Sequence, residues 1–279
     1  MIPSDLKRGQ HSQFDIHAIT YGKVSRLMYL PPDPQLGSSP ARNSEFEKTH
    51  SRGRVISDRV GREHASTIID VGAYKGETAE WFSVLFPNAT VWAVEPFPES
   101  FVELELKSNP RIKAFNFAAA SFDGQVQLHY NSIASTSGIY PINSESLDSL
   151  FIGQSIVDIG APTNSSIGNL IVEARTINSF VAEQDINEID LLKIDVQAAE
   201  VDVLKGSDQV LDRVGAVLIE ISLFDYYVNS SSIGDVESFL RPHGFSLWSV
   251  TDISNNPMNG RTDWLELLYV KSKGCEAER

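Results

Sequence analysis

From residue 67 onward, short runs of β-branched and aromatic residues alternate with stretches in which apolar residues recur every three or four positions. That alternation predicts a parallel sheet with crossover helices. The first run, Ile68, Ile69, Asp70 and Val71, breaks at Gly72 and Gly76, and Thr78, Trp81, Phe82 and Leu85 then follow at helical spacing. So abrupt a passage from strand to helix predicts bare backbone N–H groups and a helix N-terminus beside the strand's end. Residues 90–95 predict the second strand, and the next helix carries Phe97, Phe101 and Leu104 on one face before Asn109 and Pro110 stop it. Residues 112–117 predict a third strand, and 125–130, where Val126, Leu128 and Tyr130 alternate with polar positions, predict a half-exposed one.

The pattern lapses over 131–169, where Ser, Asn, Gly and Pro dominate. A loop this long reads either as a substrate lid or as a plain variable insertion. Regularity resumes with a strand over 170–176, a short helix over 177–183 and a nearly continuous apolar strand over 189–195 that ends at Asp195. A helix over about 198–211 then buries Val203, Leu204, Val210 and Leu211, and a strand over 214–223 is interrupted by Glu220. After a helix carrying Ile233, Val236 and Leu240, the strands 245–250 and 264–271 predict an antiparallel hairpin. Upstream, residues 1–60 lack such a pattern: Pro31, Pro32, Pro34 and Pro40 mark a loop, and Arg42, Arg52, Arg54, Arg59 and Arg62 give it local positive charge. This part reads as a solvated arm packed loosely on a domain of residues 61–273. A substrate-covering or homo-oligomer-forming extension is the alternative, and residues 21–30 fit a short helix or a strand equally.

Composition narrows the function without naming it. A chain of 279 residues with 42% hydrophobic content can bury one sizeable core. Its formal charge of −14 argues against a nucleic-acid partner, since phosphate backbones are held by clustered Lys and Arg. The single cysteine, Cys275 in a polar tail, leaves no disulfide framework and no Cys-based zinc site, and suits a reducing compartment. No apolar segment follows Met1, and no apolar run reaches the roughly 18 residues that span a bilayer, so the protein reads as soluble and cytoplasmic.

The candidate chemistry lies in acids at strand ends. Asp70, Glu95, Asp195 and Glu220 each fall at or near the end of a strand, and in an open α/β sheet such positions can line one crevice. Taken singly, each would read as a helix cap or a surface pair. Glu95, about twenty residues beyond the glycine turn, stands where a carboxylate accepts hydrogen bonds from both hydroxyls of a ribose. Gly72 and Gly76 do not form the glycine triple that a dinucleotide needs, and Asp70 would repel a pyrophosphate. An acid there suits a cationic ligand carrying a sulfonium and an ammonium group. An NAD- or nucleotide-sugar-binding Rossmann-like protein and a non-catalytic binding module are the alternatives.

Residues 68–78, 94–98 and above all 190–206 resemble the FkbM-type S-adenosylmethionine-dependent methyltransferases. The resemblance covers roughly residues 65–223. It implies an α/β fold: a doubly wound, Rossmann-like, seven-stranded sheet of the class I methyltransferase type, mostly parallel with a C-terminal antiparallel hairpin. It also implies O-methylation of a hydroxyl on a sugar, glycan or natural product. By position it implies that Asp70, Gly72, Tyr74 and Gly76 flank the methionine portion of S-adenosylmethionine and that Glu95 holds the ribose. Pro96 and Phe97 would lie beside the adenine, with Ala73, Thr78 and Ala118 completing the cofactor wall. Asp195 and Gln197 would lie next to the transferred methyl, with Glu200 opening the next helix. Tyr74 stands where the family usually has Asn, Ala198 where it has Gly, and Ser121 where an Asp often contacts adenine. Methyl transfer is an in-line displacement, and an alcohol acceptor is helped by a base or a metal. Asp195 and Glu220 are the candidate bases, with His129 as an alternative. Mg²⁺ on the same two acids is a further option with a thin ligand set. His243, between Pro242 and Gly244, reads as a helix stop.

Overall fold

The computed structural model describes residues 39–150, 163–256 and 260–271. The undecided stretch at 21–30, the prolines at 31–34, residues 151–162 of the expected lid and Cys275 lie outside them. The described chain enters through α1 (Ser39–Thr49), which buries none of its residues. Next comes α2 (Arg52–Val60), whose N-cap Ser51 accepts from the Arg54 N–H and whose Val55 and Ile56 are buried. The stretch read as a loose arm thus ends in a helix seated on the core.

The main body runs β1 (Thr67–Val71), α3 (Glu77–Leu85), β2 (Thr90–Val94), α4 (Pro98–Glu105) and β3 (Ile112–Phe115). A second group follows: β4 (Ala118–Ala119), β5 (Gly124–Asn131), α5 (Leu147–Leu150), β6 (Ser166–Arg175) and α6 (Ile177–Glu183). Then come β7 (Ile189–Ile194), α7 (Glu200–Lys205), β8 (Val214–Ser222), α8 (Ile233–Leu240), β9 (Phe245–Asn255) and β10 (Thr262–Lys271). The seven-stranded sheet has the order β3-β2-β1-β7-β8-β10-β9. Strands β3 to β8 pair in parallel, whereas β10 runs antiparallel to both β8 and β9. The order reverses between β1 and β7, so the chain leaves a crevice at the carboxyl ends of those strands.

Helices cover both faces. On one side Ile56, Phe82 and Leu104 of α2, α3 and α4 pack on Ile68, Val91, Leu191 and Leu218. On the other, Phe180, Val203, Leu204 and Val236 pack on Ile69, Ile194, Val217 and Ile219. Covered on both faces, the central strands are mostly apolar, with charged residues such as Asp70 of β1 and Lys193 of β7 set toward their carboxyl ends.

Three expected elements differ. The third strand stops at Phe115 because the Asn116 side chain donates to the carbonyls of Glu95 and Pro96, at 2.8 and 3.2 Å, and draws the chain aside. Residues 118–119 then join β5 and β6 in a separate sheet of order β4-β6-β5, and β6 begins at Ser166, inside the stretch read as loop. The helix expected over 198–211 lasts only from Glu200 to Lys205. Gly206 passes so close to the Ala120 carbonyl that a Cβ would sit 2.0 Å from its oxygen, and this crossing breaks the helix.

Candidate active site

The glycine turn after β1 is held against β7. Gly72 has φ 81°, and a Cβ on it would lie 1.8 Å from the Asp195 carbonyl oxygen, so only glycine fits. The N–H groups of Gly72 and Ala73 both donate to the Val94 carbonyl at 3.0 Å, and the Gly76 N–H donates to that of Ala73 at 2.9 Å. The Tyr74 N–H donates to Glu95 Oε2 at 2.8 Å. These donors, expected to be bare, are therefore engaged, because the β1–β2 pairing continues into the turn.

Above the turn lies a cavity of about 260 Å³. Its wall brings together Gly72, Ala73, Tyr74, Thr78, Glu95, Pro96, Phe97, Ala118, Asp195 and Gln197. Asp70 and Gly76 are not on that wall: Asp70 is fully buried beneath it, and Gly76 caps α3. His129 follows the cavity residue Leu128 on β5, and successive strand residues face opposite ways, so its ring is turned outward. Ser121 is exposed and off the wall. The helix-stop reading of His243 holds, with its Nδ1 2.8 Å from the Phe239 carbonyl oxygen.

Sequence reasoning missed several lining residues. Ala134, Ser135, Ser137, Gly138 and Ile139 reach the cavity from the irregular stretch, where nothing in the local pattern marked them. That stretch is fastened to the segment after β8: Tyr227 Oη lies 2.7 Å from Gln197 Oε1 and 3.0 Å from the Thr136 carbonyl oxygen. Lys193 was also missed, though a lone cation inside an apolar strand was a readable signal. It is 5% exposed, and its ammonium lies 3.3 Å from Asp70 Oδ1 and 3.2 Å from Asp195 Oδ2. Gln197 Nε2 donates to the other Asp195 oxygen at 2.9 Å. Burial works to discharge Lys193, but Asp195 and Asp70 more than offset it and hold its pKa above the ordinary lysine range.

The acids are strongly perturbed. Burial pushes Glu95 up to about 7, against hydrogen bonds from the Phe97 and Tyr74 N–H groups. Burial, and then the Asp195 charge, push Glu220 up to about 9. Burial likewise raises Glu200 to about 7. Glu220 is off the wall but one strand over from Asp195, since β7 and β8 pair at Ile194 and Ile219. Beyond it, Glu266 stands opposite Glu220 and is held by Arg52 of α2, whose Nε donates at 2.8 Å.

The wall carries three carboxyl groups, Glu77, Glu95 and Asp195, against the single ammonium of Lys193. Such a lining repels a pyrophosphate and suits a cation. Each Glu95 oxygen accepts one backbone N–H and keeps a lone pair for a ribose hydroxyl. S-adenosylmethionine, a nucleoside with a sulfonium and an ammonium group, fits this donor and acceptor set. Among the described residues, no cluster of three His, Cys, Asp or Glu side chains could hold a metal ion, and no helix is long and apolar enough to cross a membrane.

Comparison with known proteins agrees with this chemistry. The methyltransferase FkbM domain model matches residues 70–247, more than half of the chain. The 2-O-methyltransferase NoeI of Sinorhizobium fredii (strain NBRC 101917 / NGR234) is 24% identical over 57% of this chain and 65% of its own, so under two thirds of that relative is spanned. The 31-O-demethyl-FK506 methyltransferase FkbM of Streptomyces tacrolimicus is 28% identical over 71% of this chain and 82% of its own. Among solved structures, the magnesium protoporphyrin IX methyltransferase of Synechocystis PCC 6803 aligns over 90% of each chain with 8% identity and a TM-score of 0.44. On the family-model match over residues 70–247, which spans the doubly wound sheet and its acid-lined crevice, the chain belongs to the FkbM family of S-adenosylmethionine-dependent methyltransferases.

Proposed function

We propose that the protein transfers a methyl group to a hydroxyl oxygen of a sugar, glycan or natural product. The observation that carries this reading is the cavity itself, where Asp195 stands on the same wall as the ribose-type acceptor Glu95. The names of the two relatives, a 2-O-methyltransferase and a 31-O-demethyl-FK506 methyltransferase, favour oxygen as the acceptor atom.

When bound, S-adenosylmethionine supplies an electrophilic methyl on a sulfonium. The chain's own part is to align an acceptor with it and to remove a proton. Asp195 is the base in this reading, because Lys193 and Gln197 fix its two oxygens at the cavity wall. Glu220, raised to about 9, keeps its proton at neutral pH and serves as the protonated neighbour of that base rather than as the base itself. Alignment supplies most of the rate in this reading, and residues of the 134–139 segment add to the wall against which an acceptor would be held. Residues 1–60 and the 131–169 stretch are where acceptor specificity would reside.

Incubation with methyl-labelled S-adenosylmethionine and panels of saccharides and hydroxylated natural products tests the reading. Label recovered as an alkali-stable methyl ether supports it. Label recovered only on amine or thiol acceptors overturns the choice of oxygen.

A further inference from the structure

Lys193 is the one cationic side chain on the cavity wall among the described residues, and its position is tightly determined. On β7 it stands directly opposite Asp70 of β1. Its ammonium meets three acceptors: Asp70 Oδ1 at 3.3 Å, Asp195 Oδ2 at 3.2 Å and the Gly72 carbonyl oxygen at 3.4 Å. Two of its N–H bonds are taken by Asp195 and the Gly72 carbonyl, and the ion pair with Asp70 helps to fix its charge at the cavity floor. Asp70 is fully buried, and among the described residues neither of its oxygens accepts a hydrogen bond of good geometry. It therefore acts on Lys193 mainly as a buried countercharge.

The charge balance has a catalytic meaning if the cavity holds a sulfonium, and to that extent the inference rests on the proposed function. Carboxylates around a sulfonium stabilise the bound ground state more than the transition state, in which the positive charge on sulfur is being lost. Uniform or ground-state-weighted binding does not speed the chemical step. A fixed ammonium beside the same acids reduces that excess stabilisation. It leaves Asp195 in place as a proton acceptor for the incoming hydroxyl.

We propose that Lys193 is a charge-setting and positioning residue of the methyl-transfer centre: it holds Asp195 against the glycine turn and weakens the cavity's grip on a sulfonium relative to a thioether. Transfer then balances simply. The carbon–sulfur bond breaks, a carbon–oxygen bond forms, the hydroxyl proton passes to Asp195, and sulfur leaves as the neutral thioether of S-adenosylhomocysteine.

The test is calorimetric titration of the full chain, at one pH and salt, with S-adenosylmethionine and separately with S-adenosylhomocysteine. Lys193→Met is expected to bind S-adenosylmethionine at least fivefold more tightly than the unsubstituted protein, with the homocysteine product changed less than threefold. Lys193→Arg, which keeps the charge, is expected to restore the original ratio of the two dissociation constants. Should Lys193→Met fail to fold, Lys193→Gln, which removes the charge but keeps a hydrogen-bond donor beside Asp70 and Asp195, is expected to show the same rise in the ratio. Parallel weakening of both ligands, or a ratio within twofold of the original, overturns the inference and leaves Lys193 a structural lysine. If the unsubstituted protein binds neither ligand, the proposed function fails first and this inference falls with it.

Discussion

At the scale of single residues, backbone conformation decides what the turns after β1 and β7 can hold. Gly72→Ala places a Cβ against the Asp195 carbonyl in a left-handed conformation, and a loss of more than about 2 kcal/mol in stability is expected in urea titration. Ala198 presents the opposite case. It sits at φ 86° next to Gln197 at φ 58°, a strained pair of non-glycine residues at the mouth of the site. Ala198→Gly relieves strain of about 1–2 kcal/mol and adds about 0.5–1 kcal/mol of unfolded-state entropy, so a rise in Tm of about 1–3 °C is expected by calorimetry. A fall in Tm would show that the conformation is not strained. The family resemblance made both positions legible, since it implied glycine at each. Tyr74 fits the same account: its φ of 50° is one that Asn tolerates better than Tyr, and its ring lies 5.5 Å from the Lys75 ammonium.

At the scale of elements, strands were more legible than their partners. The runs at 68–71, 90–94, 189–194 and 214–222 announced themselves because burial on both faces demands mostly apolar sequence. The small second sheet was less legible, since β6 exposes Ile167 and Ile171 and its pattern imitates a polar loop. Helix α2 was read as arm because it has nine residues and only a short apolar stripe. What fixes it is a long-range pair that local pattern cannot show, Arg52 on Glu266, 214 positions apart, with the guanidinium also 4.6 Å from the Trp81 ring centre. Arg52→Met leaves Glu266, whose side chain is 7% exposed, without its countercharge. A destabilisation of about 2–3 kcal/mol is expected in urea titration, and Arg52→Met/Glu266→Gln is expected to recover most of it. Equal losses in the single and double variants would show that Arg52 acts by packing on Trp81 alone.

At the scale of the whole molecule, burying acids beside an apolar core makes stability and binding depend on pH in a defined sense. Glu95 and Glu200 titrate at about 7 in the folded chain, and Glu220 at about 9, against an ordinary value of 4.5. A folded pKa above the unfolded one means that the native state holds protons the unfolded chain has released. The contribution is fully present below pH 4.5 and is lost as pH rises through 7, and through 9 for Glu220. The Tm of the ligand-free protein is therefore expected to fall between pH 5 and pH 9, and a Tm that rises across that window would contradict the burial of these acids. A cationic ligand favours their ionised forms, so its binding should release protons and strengthen as pH rises through about 7. The acids themselves were legible as strand endings; their perturbation was not, because it depends on what the strap at 134–139 and the neighbouring strands exclude.

The most direct measurement of the central claim is calorimetric titration with S-adenosylmethionine of the unsubstituted protein, Glu95→Ala and Glu220→Ala. In the proposed site Glu95 would accept from two ribose hydroxyls, so Glu95→Ala should weaken binding on the order of 30-fold or more, while Glu220→Ala, off the cavity wall, should change it by less than about threefold. No heat with the unsubstituted protein, or equal losses in the two variants, would contradict the assignment of this cavity to the cofactor.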